Sequence, residues 1–326
     1  MKQVSIVIPN YNGMKFLPEC MEALEKQTYR DFEVILIDNA SADESADWIR
    51  ANCPDVRLIV NETNLGFSGA VNQGIQMSEC PYVLLLNNDT AAEPDFVGEL
   101  VKAIEKSNRI FSVSPKMVQY HNHALLDDAG DLYNLLGWAF QRGVGQPVEA
   151  YDKPTRVFTA CAGASIYRRS VFEEIGYFDL MHFAYLEDLD VGYRARIYGY
   201  ENWYCPTAVV YHVGSGTSGS KYNDFKVRLA ARNNVYLKYK NMPAFQRGLN
   251  WLPFQIGLAV KKRFFRKIGF GQAYLDGLEE GMRTRSACKR VPFRMRHLKN
   301  YVRIEGELIG NSFRYVTDYL KRRRQR

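Results

Sequence analysis

The sequence predicts an α/β protein: a Rossmann-like, mostly parallel sheet flanked by helices, followed by a helical C-terminal region. Three observations carry this. Short, near-continuous apolar runs alternate with helical patterns through the first hundred residues, as expected for strands buried on both faces and joined by crossovers. Several runs stop at acids or amides, notably Asp38-Asn39 and Asn87-Asn88-Asp89; ligands gather at the carboxyl ends of strands in open α/β sheets. Charge divides the chain: residues 1–220 hold 17 Lys/Arg and 29 Asp/Glu, residues 221–326 hold 26 and 7.

The elements follow in order. Val4 to Ile8 is a short apolar strand, and Phe16 to Leu24 reads as a helix. Phe32 to Ile37 is the next strand. Ser41-Ala-Asp-Glu44 has the form of a capping box, with Ser41 as N-cap of a helix through Arg50. Val56 to Val60 is a third strand. A Gly-rich turn and helix span Asn64 to Ser78, and the strand Tyr82-Val-Leu-Leu-Leu86 follows. Glu93-Pro94 opens another helix. Phe111 to Val118 and Val157 to Tyr167 read as strands, with a long loop or small hairpin over 120–156. Leu186 to Tyr198 reads as a helix and Ala208 to Tyr211 as a last strand. The flexible run Gly214 to Ser220 sets a boundary: an α/β region over 1–218, in two parts, 1–118 and 119–218, then a basic helical region over 219–326.

Composition excludes several classes. At 326 residues, 46% hydrophobic and 24% charged, the chain is ordinary for a folded protein. Its six cysteines form no Cys-x-x-Cys pair, so neither a zinc nor a redox motif is indicated; scattered thiols suggest a reducing cytosol. No secretory signal is visible. No uncharged apolar stretch reaches about 18 residues; Trp251 to Val260 is the longest, a length suited to a core or an interface. A basic tail carrying aromatics points to an anionic surface, membrane or nucleic acid, and no nucleic-acid module is recognisable.

Candidate chemistry sits at the strand ends. Asp89, in an acidic loop, suits a hard divalent cation already carrying phosphates. Pro9, Tyr11 and Asp38 end neighbouring strands, so a base could stack on Tyr11 and donate to Asp38. Asn64-Leu-Gly66-Phe-Ser-Gly69 is neither Gly-x-Gly-x-x-Gly nor a P-loop, but its glycines would let backbone approach a ligand. Tyr185-Leu-Glu187-Asp188-Leu-Asp190 packs three carboxylates into four positions. Asp190 and Arg194 form an i,i+4 pair of structural character. Glu187 and Asp188 point about 100° apart, and one, ionised at a helix N-terminus, suits a general base. His212 ends a strand before a Gly/Ser loop and could share an ion with Asp89.

These motifs, taken in order, resemble the inverting glycosyltransferase family 2, of GT-A fold, over about Val4 to Ser218. The residues that carry the resemblance are Pro9-Asn-Tyr-Asn12, Asp38-Asn-Ala-Ser41, Asn64-Leu-Gly-Phe67, Asn87-Asn-Asp89, Gly163-Ala164, Gly176-Tyr-Phe-Asp179, Glu187-Asp188-Leu-Asp190 and His212. Within the family the arrangement is similar to the bacterial rhamnosyltransferase-like branch. The resemblance implies that Asp188 is the catalytic base, with Glu187 orienting or binding the acceptor. Pro9, Tyr11, Asp38, Asn64, Gly66, Asn88, Gly163 and Ala164 would bind the donor. Asp89 and His212 would hold Mg²⁺ or Mn²⁺; Asn87 stands where the family's Asp-x-Asp motif has its first carboxylate, so one must suffice. The implied activity is transfer of a sugar, with L-rhamnose from dTDP-L-rhamnose as first choice and a UDP-sugar as alternative, to a polyprenyl-diphosphate-linked glycan of a bacterial surface polysaccharide.

The resemblance thins beyond residue 218. Phe245 to Phe270 mixes aromatics with Lys261-Lys-Arg263 and Arg266-Lys267, an amphipathic surface helix by pattern. It would hold the enzyme peripherally on the cytoplasmic face of the plasma membrane. The rival is a bundle that packs on the catalytic region or makes a homo-oligomer. A catalytically weak scaffold of a polysaccharide assembly complex is a second functional class. A sugar nucleotidyltransferase is disfavoured, because residues 5–15 hold only one Gly and one Lys.

Overall fold

Tyr82–Leu86, with all five residues buried, lies in the middle of a ten-stranded sheet. The structure is a computed structural model describing residues 2–214 and 222–324, with side chains through Leu320. In chain order the elements are β1 (Val4–Asn10), α1 (Leu17–Glu25), β2 (Phe32–Asp38), α2 (Ser45–Asn52), β3 (Arg57–Val60), α3 (Gly66–Met77), β4 (Tyr82–Leu86), β5 (Thr90–Ala92) and α4 (Phe96–Ile104). Then come β6 (Ile110–Gln119), β7 (Asn122–Asp128), β8 (Asp131–Tyr133), β9 (Ala139–Gln141), β10 (Thr155–Val157), β11 (Ala164–Arg168), α5 (Arg169–Ile175), α6 (Glu187–Ile197) and β12 (Glu201–His212). Five helices close the chain: α7 (Asp224–Asn241), α8 (Ala244–Leu249), α9 (Trp251–Lys267), α10 (Gly271–Thr284) and α11 (Leu298–Arg324).

Eight strands run in the order β10-β12-β6-β11-β4-β1-β2-β3, with β5 and β7 attached at β12 and β6. β4, β1, β2 and β3 are mutually parallel, and β12 is parallel to β6. β11 is inserted antiparallel between the two sets. Side chains alternate faces along each strand, so one sheet feeds two cores. Ile6, Ile8, Leu84 and Leu86 pack on one face with Leu17 and Leu24 of α1 and Leu100 of α4. Val7, Ile35, Val83 and Leu85 pack on the other with α3, α5 and α6.

Register gathers the polar strand ends at one edge. Asn10 pairs with Asp38, Ala164 with Leu86, and His212 with both Thr90 and Gln119.

Four expectations need correction. The helix after β2 begins at Ser45 with Glu44 before it, and neither makes a side-chain cap. Ser41 cannot cap, because its hydroxyl accepts from the Asn12 amide at 2.9 Å and from Asn10 Nδ2 at 3.2 Å. Val157 to Tyr167 is two strands, β10 and β11, separated by the segment that meets α6. The last strand starts at Glu201, seven residues earlier than the apolar pattern indicates, because polar Asn202 is buried there and donates to the Phe158 carbonyl at 2.6 Å. Phe245 to Phe270 is two helices, interrupted at Asn250, whose amide donates to Gln246 O and Glu305 Oε2.

The boundary expected at 218/219 lies outside the described residues. The C-terminal helices share a core with the sheet region: Leu237, Met242, Phe254, Tyr301 and Leu308 pack with Tyr133, Phe158, Leu189 and Tyr193. Among the described residues no helix is long and apolar enough to cross a membrane.

Candidate active site

The β1–β2 end of this edge is built from asparagines. Asn10 donates to Asp38 Oδ2 at 2.8 Å and accepts from Asn88 Nδ2 at 2.6 Å. Asp38 Oδ1 accepts from the Ser41 amide at 2.9 Å. Asp38 is only 1% exposed, while Pro9 is half-buried and Tyr11 exposed. Asn64 Oδ1 accepts from the Gly66 amide at 2.8 Å and from Asn39 Nδ2 at 3.1 Å. Asn88 and Asn64 are thus tied into the protein's own network. The close approach at Gly66 is also internal. Its φ is +72°, and a Cβ there would lie 2.5 Å from the Phe183 ring. The glycine therefore seats the 180–186 loop.

At the end of β4, the Asn87 amide donates to Gly163 O at 2.7 Å. This brings Gly163 and Ala164, both buried, beside the acidic turn. Asp89 is 6% exposed. His212 Nε2 lies 3.3 Å from Asp89 Oδ1, and its Nδ1 lies 2.7 Å from Asp127 Oδ2. Burial alone would lower the imidazole's pKa, but hydrogen bonds to Asp127 and Asp89 outweigh it and raise the pKa to about 10. Asp127 was not foreseen, since β7 falls within the stretch that reads as a loop. It orients the His212 imidazole from the ring nitrogen opposite Asp89.

Next to it lies a second acidic group. Ligand atoms of Asp128, Asp131 and Cys161 lie within 4.8 Å of one another. Asp128 is fully buried and both its oxygens lack hydrogen-bond partners. Burial, with the charge of Asp127, raises its pKa to about 8. Burial also holds the Cys161 thiol well above its usual range, so it is a poor ligand for a hard cation. The Asp188 charge reaches both Asp128 and Asp131, which links this group to the carboxylates of α6.

Glu187 and Asp188 open α6 after a strained turn. Phe183, Tyr185 and Leu186 all have φ between 61° and 71°, a left-handed conformation that costs non-glycine residues of order 1–3 kcal/mol each. α7 holds this turn in place. Asn233 Nδ2 donates to the carbonyls of His182, Ala184 and Tyr185 at 2.7–2.9 Å, and Arg232 to those of Met181 and His182 at 3.0 Å. Asp188 is half-buried. It accepts from the Leu189 amide at 2.7 Å and the Ala162 amide at 3.3 Å. Burial raises its pKa, and the backbone donors pull it back. Glu187 is 7% exposed with one oxygen unpartnered; burial and then Asp188 hold it well above the usual range. Asp188 keeps the helix-terminal donors, and Glu187 has the more strongly raised pKa of the two. Thr159 Oγ1 donates to Asp188 O at 2.8 Å, an approach that only Gly192 permits, since a Cβ there would lie 2.1 Å from that hydroxyl.

Asp190 has the structural role its spacing indicates, in a wider network. It meets Arg194 at 2.9 Å, Lys240 at 2.8 Å and Asn241 Nδ2 at 2.7 Å, and Lys240 also reaches Asp179 at 2.7 Å. α7 is therefore bound to α6 by the buried Lys240–Asp190 ion pair and the Asn241–Asp190 hydrogen bond.

Comparison with known proteins bears on this site. The family described as Glycosyl transferase family 2 matches residues 5–176, a span that stops before Glu187. A PGL/p-HBAD biosynthesis glycosyltransferase of Mycobacterium bovis is 28% identical over 194 residues, covering 58% of this chain and 68% of its own. An N-acetylglucosaminyl-diphospho-decaprenol L-rhamnosyltransferase of Mycobacterium tuberculosis is 24% identical over 274 residues, covering 76% and 87%. Among solved structures, GalNAc-T7 with UDP, GalNAc and Mn²⁺ superposes with a TM-score of 0.61 at 19% identity, over 89% of this chain and 55% of that one. This chain thus spans about half of GalNAc-T7. S. aureus TarS 1–349 with UDP-GlcNAc superposes with a TM-score of 0.57 at 18% identity, over 89% and 84%. The fold is the GT-A type of these glycosyltransferases.

Proposed function

Because the chain belongs to glycosyl transferase family 2, we propose that it is an inverting, metal-dependent glycosyltransferase that moves a sugar from a nucleotide donor to a hydroxyl of a lipid-linked glycan. The carrying observation is the convergence at one sheet edge of Asp38, Asn87 to Asp89, Gly163 and His212, with Asp188 within electrostatic reach of Asp128 and Asp131.

Asp89 and His212 would hold Mg²⁺ or Mn²⁺, which when bound offsets the donor diphosphate's charge and improves it as a leaving group. Their donor atoms converge, and Asp127 fixes the imidazole's orientation. Asp38, Pro9 and Tyr11 form the base end of the donor site, and Gly163 and Ala164 border the sugar. Asp188 takes the proton of the acceptor hydroxyl. That oxygen bonds to the anomeric carbon as the bond to the diphosphate breaks on the opposite side, inverting the configuration. Burial makes Asp188 a better base by raising its pKa. Glu187, protonated, donates toward the acceptor.

The donor is read as dTDP-L-rhamnose and the acceptor as a polyprenyl-diphosphate glycan of a bacterial surface polysaccharide. The 24% identical rhamnosyltransferase, named for a diphospho-decaprenol acceptor, supports this reading. The enzyme would sit peripherally on the cytoplasmic leaflet. Leu252, Ile256, Val260 and Phe264 form an exposed i,i+4 stripe on α9, flanked by exposed Lys262, Arg263, Arg266 and Lys267. That combination of apolar and basic residues fits an anionic lipid surface.

The test is donor hydrolysis and binding across a panel of nucleotide sugars with Mn²⁺ or Mg²⁺, using wild type and Asp188→Asn. Cleavage of dTDP-rhamnose alone, with a variant that binds but does not turn over, supports the reading. A preferred UDP-sugar replaces the donor and leaves the mechanism. No binding favours a scaffold role. Flotation of the full chain with phosphatidylglycerol vesicles, compared with Ile256→Glu, tests the membrane face; equal flotation overturns it.

A further inference from the structure

Two lysines outside this site lack the anion that burial demands. Lys238 of α7 and Lys261 of α9 are both half-buried. Lys238 Nζ lies 4.7 Å above the Phe254 ring. Burial pushes both ammonium groups down to about 8, and the charge of Lys238 adds to the effect on Lys261. Among the described residues no carboxylate forms an ion pair with either. Glu280 pairs with Arg228 and Arg232, Glu307 with Arg196, and Glu305 accepts from Gln246 and Asn250. Asn234, one turn before Lys238, accepts from Tyr133 and donates to Gly137. Two cations crowded together without a counter-charge are costly unless a ligand supplies one.

We propose that Lys238 and Lys261 form the binding site for the diphosphate of a lipid-linked acceptor, between α7 and α9. This rests on the acceptor class proposed above. The site is distinct from that of the donor diphosphate. Lys226, which senses the Asp89 charge, precedes Lys238 by twelve residues on α7, about 18 Å of helix. The surroundings suit an acceptor. On one side, Asn234 and Phe254 touch the Tyr133 to Gly137 turn, whose strand begins at Asp131 beside the catalytic carboxylates. On the other, α9 carries the exposed apolar stripe Leu252, Ile256, Val260 and Phe264. A glycan diphospholipid would place its sugar toward Asp188, its diphosphate on the lysines and its tail along the outer face of α9. Flexible ammonium groups, each with three donors, suit a charge-dense diphosphate.

The experiment uses the full chain with Lys238→Met and Lys261→Met. Transfer is measured to N-acetylglucosaminyl-diphospho-farnesol and to octyl N-acetylglucosaminide, alongside calorimetric titration of inorganic pyrophosphate. The expected result is a KM for the diphosphate acceptor raised about tenfold or more in each variant. The KM values for the octyl glycoside and for the donor should not change. Thermal midpoints at pH 7 should be unchanged or higher, since a repulsive buried charge is removed, which separates the effect from misfolding. An unchanged acceptor KM, or a donor KM rising in parallel, overturns the proposal. If the wild type uses no diphosphate-linked glycan, the acceptor reading falls by itself. Pyrophosphate then decides the lysine site: binding lost in both variants upholds it, and equal binding overturns it.

Discussion

Asp127 Oδ2 lies 2.7 Å from His212 Nδ1, and the other ring nitrogen faces Asp89 Oδ1 at 3.3 Å. A residue of β7 and a residue of the turn after β4 thus fix one imidazole at the end of β12. Asp127→Asn should leave the fold intact and lower metal-supported donor hydrolysis about 10- to 100-fold, the usual cost of losing a histidine's supporting carboxylate. Titration of Mn²⁺ against hydrolysis rate checks this; an unchanged metal dependence would remove Asp127 from the site.

Glu187 and Asp188 should respond differently to the same chemical change. Asp188→Asn removes the base and should reduce kcat by roughly 10²–10⁴-fold with donor affinity retained. Glu187, pushed well above the usual carboxylate range by burial and by Asp188, is compared with a neutral amide. Glu187→Gln should stay within about threefold of wild type. Steady-state kinetics at pH 7 separate the two; equal losses would show that Glu187 acts ionised.

Gly192→Ala tests positioning. The added methyl would meet Thr159 Oγ1 at 2.1 Å, and that hydroxyl holds the Asp188 carbonyl. A displacement near 1 Å can cost about 10²-fold, so kcat should fall while donor KM stays. Thr159→Ser keeps the hydroxyl and should remain close to wild type.

The Asp190 network should appear in acid stability. Burial alone would raise its pKa, but Lys240 and Arg194 hold it far below the usual range. With the folded pKa depressed, the stabilisation is present above the ordinary carboxylate value of about 4 and fades as pH falls toward the folded value. Asp190→Asn leaves Lys240 short of a buried partner and should cost about 3–5 kcal/mol at pH 7. Its stability should also decline less steeply below pH 4. Urea unfolding at pH 7 and pH 3 measures both.

The sheet was legible because β1, β2 and β4 are mostly apolar and stop at amides and acids, a pattern local to each strand. Asp89, Asp188 and His212 stand out in the sequence for a related reason, as polar residues where a strand or helix changes character. Ser41 misled because a hydroxyl three residues before a glutamate looks the same whether it caps a helix or accepts from the Asn12 amide. Asp127, Asp128 and Asp131 went unseen because their role comes from pairing β7 with β6 and from contact with α6, neither of which local pattern encodes. The hold of Arg232 and Asn233 on the carbonyls of 181–185 is likewise a long-range fact. Lys238 and Lys261 look like any solvated lysine until α7 and α9 are packed.

The clamp of α7 on the 181–185 carbonyls has a consequence for recombining this chain with its relatives. The turn that aims Glu187 and Asp188 is held by residues some fifty positions downstream, so the Gly/Ser-rich stretch of sequence before α7 is a poor crossover point. A chimera joined there would inherit its carboxylates from one parent and their support from the other. A junction placed ahead of Asp179 would carry the turn, α6, Lys240 and the clamp together as one heritable unit.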